Sequence, residues 1–126
     1  MPVDVERIGD EDLTVFTASG ELTFAEQMGV LRAFYEDHPT RKVIWDFSRI
    51  TGRRISREQL LEILSYTREQ SGRRDGGRTA LVAASELDFG LARMVAILAE
   101  GQQLPWQLQA FKDLATARAW IDEPPA

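Results

Sequence analysis

An alternation constrains this chain most: short runs of strand-forming residues separated by stretches with helical periodicity. Lys42-Val43-Ile44-Trp45-Asp46-Phe47 and Thr79-Ala80-Leu81-Val82-Ala83-Ala84 are compact and apolar enough to be interior strands. Trp106-Gln107-Leu108-Gln109-Ala110-Phe111 alternates roughly as another. Around them, apolar residues recur every three or four positions. Phe24, Met28, Leu31, Phe34 and Tyr35 form one such stripe, and Leu60, Leu61, Ile63, Leu64 and Thr67 a second. Leu91, Val95, Leu98 and Ala99 form a third, and Leu114, Ala117, Trp120 and Ile121 a fourth. Each spacing buries one side of a helix. At the N-terminus, Val3, Val5 and Ile8 precede Gly9-Asp10-Glu11-Asp12, and the run from Leu13 to Ser19 follows, which predicts a hairpin. The order is β-β-α-β-α-β-α-β-α. Strands separated by helices require helical crossovers, so the expected fold is α/β, a mostly parallel mixed sheet with an antiparallel edge from the hairpin.

Local signals set the expected boundaries. The first helix is expected to begin at Glu21 or Thr23; Thr23 with Glu26, and Ser56 with Gln59 at the second helix, have capping-box spacing. Ser85 with Asp88 and the residue Asp113 mark two more. Gly20 is expected to break the second strand. Pro39 keeps His38 out of the helical region, so the first helix should end there with His38 exposed. Ser48 to Ile55 reads as a loop, and Ser71 to Gly77 as a flexible charged connection. Pro124-Pro125 should end the last helix. Gly90 costs about 1 kcal/mol in a helix interior, less near the first turn or where close packing repays it. A length of 126 residues without repeat or linker suits one domain spanning 1–126.

Several chemistries drop out. The chain has no cysteine, which removes disulfides, thiol nucleophiles and thiolate metal sites, and one histidine leaves no His-rich metal centre. No metal or other cofactor is expected. The N-terminus has no basic start before an apolar run, and no segment approaches 18 apolar residues, so the chain should be cytoplasmic and not membrane-spanning. The net charge of −5 conceals an asymmetry, because residues 49–78 hold eight arginines against four acids. An acidic whole argues against general nucleic-acid binding, while a local arginine-rich face suits phosphate or an acidic partner.

The arginines gather beside the first interior strand. Asp46, placed at or just past its carboxyl end, could orient a hydroxyl, accept a proton or hold a cation; it could equally cap a turn by accepting amides from the Ser48-to-Thr51 region. Ser56 can cap its helix, and the same place suits an anion or phosphate beside Arg53, Arg54 and Arg57. Nucleophilic catalysis by Ser56 lacks a base, since His38 is the one imidazole and nothing in the sequence pairs it with the serine. Trp45, Trp106 and Trp120 read as core or sheet-edge aromatics. Phe89, exposed by its position, with Met94 and Ile97 could give the third helix a second apolar side, for a partner or a dimer; a helix buried on both sides would explain it equally well. No glycine-rich phosphate fingerprint or nucleophile elbow is present.

The element order, the passage VIWDFSRIT, and the stretches TALVAASELDFGLARM and FKDLATARAWI resemble the STAS-like, SpoIIAA-like superfamily. Within it the chain looks most like small uncharacterised bacterial STAS/SEC14-like proteins. VIWDFSRIT is similar to the family's strand-Asp-Leu-Ser-Gly-Val-Thr passage. In the anti-sigma-factor antagonists of that family, a serine at the start of the following helix is phosphorylated, and counting onward from DFS places it on Ser56. The family's Asp-Ser-Ser-Gly is replaced here by Arg54-Ile55-Ser56-Arg57, which removes the small residues that admit a kinase. The SEC14-like side implies a small apolar or lipid ligand in a cleft lined by the Trp106 region and the Phe89 helix. The expected function is a noncatalytic binding or regulatory module acting through protein contacts, with a homodimer, a regulatory protein, or a small anionic or apolar ligand as candidate partners. A phosphorylatable antagonist and an apolar-ligand binder are the alternatives.

Overall fold

The computed structural model describes residues 3–74 and 76–123. Along the chain run β1 (Val3–Ile8), β2 (Leu13–Thr23), α1 (Phe24–Glu36), β3 (Lys42–Arg54), α2 (Arg57–Gln70), β4 (Arg78–Val82), α3 (Glu86–Glu100), β5 (Gln107–Phe111) and α4 (Leu114–Ile121). The five strands form one sheet in the order β1-β2-β3-β4-β5. β1 pairs antiparallel with β2, and each later strand pairs parallel with its predecessor. The α/β class, the element order and the antiparallel edge are those the sequence predicts.

This order dictates where the helices go. Parallel crossovers are right-handed, and a sheet that always advances in the same direction must then carry every crossover helix on the same face. One core accordingly joins Met28, Leu31, Phe34 and Tyr35 of α1, Ile63 of α2 and Ala92 of α3 to Phe16, Trp45 and Leu81 of the sheet. The other face is covered by α4, whose Ala117 and Ile121 pack with Leu13, Ile44, Ala80 and Val82. β4 is buried on both sides, as its small apolar residues require.

Both capping boxes form. Thr23 Oγ1 accepts the Glu26 N–H at 3.2 Å while Glu26 Oε1 accepts the Thr23 N–H at 3.1 Å. Ser56 and Gln59 exchange the same pair at 3.1 and 3.0 Å. α1 ends at Glu36, leaving His38 exposed with its carbonyl accepting from Arg7 Nη1. Pro124 and Pro125 lie outside the described residues.

Four expectations need correction. Gly20 does not break β2; the strand passes through it at φ 68° and continues to Thr23. Ser48 to Ile55 is no loop, for β3 runs on to Arg54 beside β2 and takes up one extra residue between Asp46 and Arg49 and another between Ile50 and Gly52. Such bulges interrupt alternation while keeping the pairing, so the stretch lacks the sequence pattern of a strand. Leu61 faces outward at 41% exposure. Gly90 gains nothing from close packing, because a Cβ there would meet no atom within 4 Å.

The connection before β4 also differs from a flexible tether. Ser71–Arg74 is a turn of 3-10 helix, and Arg74 is buried at 2% exposure. Gly77 closes against the residue before β3, where a Cβ would stand 2.1 Å from the Arg41 carbonyl oxygen. Only glycine fits so close an approach. Asp75 lies outside the described residues.

Candidate functional site

With three helices on one face, the sheet carries a cavity of about 500 Å³ beneath them. Small-molecule pockets occupy about 300–1,000 Å³. Phe16, Trp45 and Phe47 contribute from the sheet, Leu60 and Ile63 from α2, and Leu91, Val95 and Leu98 from α3. α3 explains the free space. Its inner stripe carries Leu91, Val95 and Leu98 in the predicted register, yet only Ala92 and Ala99 are fully buried. The larger residues stand over the cavity and remain half-buried. Below them, Trp45 stacks on Phe16 at 4.2 Å and on Phe47 at 5.6 Å, a stiff aromatic floor. Exposed Ser56, Arg57 and Met94 form part of the rim.

Strand geometry sorts the arginines. Arg53 lies opposite buried Leu22 in the β2–β3 register, so it faces the cavity, whereas Arg54 alternates outward. Arg54 Nε donates to Glu21 Oε1 at 2.5 Å in an exposed pair. The Arg53 side chain makes no hydrogen bond or ion pair among the described residues, and its Nε is buried without an acceptor. Its guanidinium carbon sits 5.0 Å from the Phe47 ring centroid. Burial pushes the Arg53 pKa down, and the charge of Asp88 partly opposes that shift.

Arg74 lines the same cavity under different terms. Its Nε donates to the Thr40 carbonyl, and its Nη2 to the Arg41 and Arg78 carbonyls and to Thr79 Oγ1. Nη1 reaches Tyr35 Oη at 3.4 Å. The guanidinium carbon also lies 4.4 Å from the Trp106 ring centroid. Trp106 is buried, and its indole Nε1 has no acceptor among the described residues. Sequence reasoning placed Arg74 in a solvated charged run; the glycine pair after it was the one local sign of tight backbone.

Asp46 is within β3, not at its end, and by alternation faces the α4 side, away from the cavity. Its Oδ1 accepts from Ser48 N at 3.0 Å and Ser48 Oγ at 2.6 Å, holding the first bulge. Phe89 is not exposed; it is half-buried against the core beneath Lys112 Nζ, 5.1 Å from its ring centroid. Met94 and Ile97 face outward at 42% and 62% exposure. The structure therefore brings Arg53, Ser56, Arg57, Met94 and Trp106 to one cavity, and leaves Arg54, Asp46 and Phe89 outside it. Among the described residues, no three His, Asp or Glu side chains converge as a metal site, and no helix is long and apolar enough to cross a membrane.

No family model matches the chain, and no curated protein matches it. Solved structures do. An uncharacterised protein of the DUF3478 family with a SpoIIAA-like fold, from Shewanella loihica PV-4, superposes with a TM-score of 0.60 at 19% identity, covering 94% of this chain and 91% of that one. The anti-sigma factor antagonist SpoIIAA in its unphosphorylated form gives a TM-score of 0.53 at 19% identity, with 94% and 97% covered. The Bacillus cell fate determinant SpoIIAA in its phosphorylated form gives 0.54 at 19%, with 93% and 98% covered. The fold is SpoIIAA-like.

Proposed function

We propose that the chain is a cytoplasmic, noncatalytic binding module whose cavity takes a small, mainly apolar ligand. One observation carries this reading: about 500 Å³ of space, walled by aromatic and aliphatic side chains, lies beneath an α3 whose inner face is only half-buried. An apolar ligand there would bury the surface that the helix leaves uncovered. The absence of catalysis is supported by the wall chemistry, since the described lining residues include no carboxylate and no imidazole to move a proton.

The test is a native-state mass measurement on protein purified from its source. A noncovalent small molecule released on denaturation is the expected result. A bare chain whose melting temperature no apolar ligand raises would overturn the proposal, since a ligand bound only by the folded state at 100 times its Kd stabilises by about 2.7 kcal/mol. The same spectrum reads the second proposal, a regulatory phosphorylation of Ser56. That serine is exposed at the start of α2, and the fold is shared with a determinant known in a phosphorylated form. A covalent phosphate on Ser56 with an empty cavity would favour it, and a dimeric mass would identify a second copy as partner.

A further inference from the structure

We propose that the cavity's ligand is an acidic amphiphile, with an oxyanion head held by Arg53 and an apolar body lying along Trp45, Phe47 and α3. This rests on the cavity reading above and adds the chemical class of the head.

The guanidinium groups near the core differ in the company they keep. Arg74 is more deeply buried than Arg53, but all three of its nitrogens have oxygen acceptors. Arg78 Nη1 donates to the Trp120 carbonyl and lies beside Glu123. Arg54 has Glu21. Among the described residues, the Arg53 guanidinium has only the face of Phe47, which attracts a cation without accepting its N–H groups. A guanidinium stays charged in a protein, so partial burial beside apolar walls leaves it short of an anion. Folding that keeps such a group against a ligand-sized cavity creates an acceptor-seeking wall.

The surroundings specify the rest of the molecule. An inorganic anion would satisfy Arg53 and leave the aromatic floor and the α3 stripe uncovered. A wholly apolar ligand would cover those surfaces and leave the Arg53 Nε unpaired, at the full desolvation cost. An amphiphile meets both demands. Its head belongs at the Arg53 end, where exposed Ser56 and Arg57 continue the wall to solvent, and its body belongs inside. Asp88 acts on Arg53 through space but forms no ion pair with it, so it opposes an incoming anion without replacing it.

Displacement of a neutral fluorophore, N-phenyl-1-naphthylamine, from the full chain by dodecanoate, dodecyl phosphate and dodecanol tests the assignment. The expected result is that one or both anions bind about tenfold or more tightly than the alcohol, the value of one charge-assisted hydrogen bond. Which anion is preferred distinguishes a carboxylate from a phosphate head. Arg53→Met should reduce the anions to the level of the alcohol. Arg54→Met removes the same charge from the outward side and should keep the preference. Asp88→Asn should raise anion affinity, and it decides the matter should Arg53→Met fail to fold by circular dichroism. Equal binding of acid and alcohol by the native chain, or loss of the preference in Arg54→Met as in Arg53→Met, overturns the head assignment while the cavity reading stands. Failure of all three compounds to bind overturns both.

Discussion

Arg53 and Arg74 are both cations drawn largely out of water onto the walls of one cavity, and their neighbours give them opposite energetic signs. Arg74 ties the Thr40 and Arg41 carbonyls to those at the start of β4, so its loss strands several buried acceptors at once. Arg74→Met should cost about 3 kcal/mol or more in urea unfolding. Arg53→Met removes a partly buried cation whose Nε has no acceptor among the described residues, and should leave stability unchanged or higher by about 1 kcal/mol. Losses of similar size in both variants would contradict this division of roles. Both arginines were visible in the sequence as members of one basic segment, and neither fate was legible there. Arg53 needed the strand register that turns it inward; Arg74 needed the carbonyls of a segment more than thirty residues earlier.

At the scale of elements, the helix starts were the most legible features, because a capping box is a contact between residues three apart and owes nothing to tertiary structure. The end of β3 was the least legible. Its two extra residues, its glycine and its charged side chains resemble a loop, and only pairing with β2 holds it extended. α3 lies between these cases. Its apolar register was readable, but not that half of the stripe would face open space. Gly90 lies in the first turns of this helix with nothing packed against it, so Gly90→Ala should stabilise the protein by about 0.5–1 kcal/mol, read from the urea midpoint. A destabilised variant would mean that the glycine is needed for a backbone excursion of α3.

For the molecule as a whole, the sequence specified the α/β class and the crossovers but not the strand order, which depends on long-range pairing. The cavity was less accessible still, since it is a small difference between large volumes of wall. Resemblance to SEC14-like proteins implied a cleft lined by the Trp106 region and the Phe89 helix; Trp106 and Leu91, Val95 and Leu98 of α3 line the cavity, while Phe89 lies outside it. Ala92, buried at 2% exposure and part of the lining, offers a direct probe. Ala92→Leu should raise the melting temperature of the ligand-free chain by burying about 1–2 kcal/mol of added apolar surface, and should weaken dodecanol binding by occupying its volume. A lowered melting temperature would show that the free space does not extend to that position.

The strand order has a consequence for how the molecule is made. Each strand hydrogen-bonds to the strand synthesised just before it, so no strand waits for a distant partner to leave the ribosome. The sheet can lengthen one crossover at a time during translation, with short loop closures at each step. β5 is added last, and Gln107 N–H then bonds to the Gly77 carbonyl while Ala83 N–H bonds to the Phe111 carbonyl. A nascent chain halted before β5 would therefore present the bare edge of β4 and an α3 docked on one side only, which makes the arrival of β5 the step that protects the polypeptide from pairing with its neighbours.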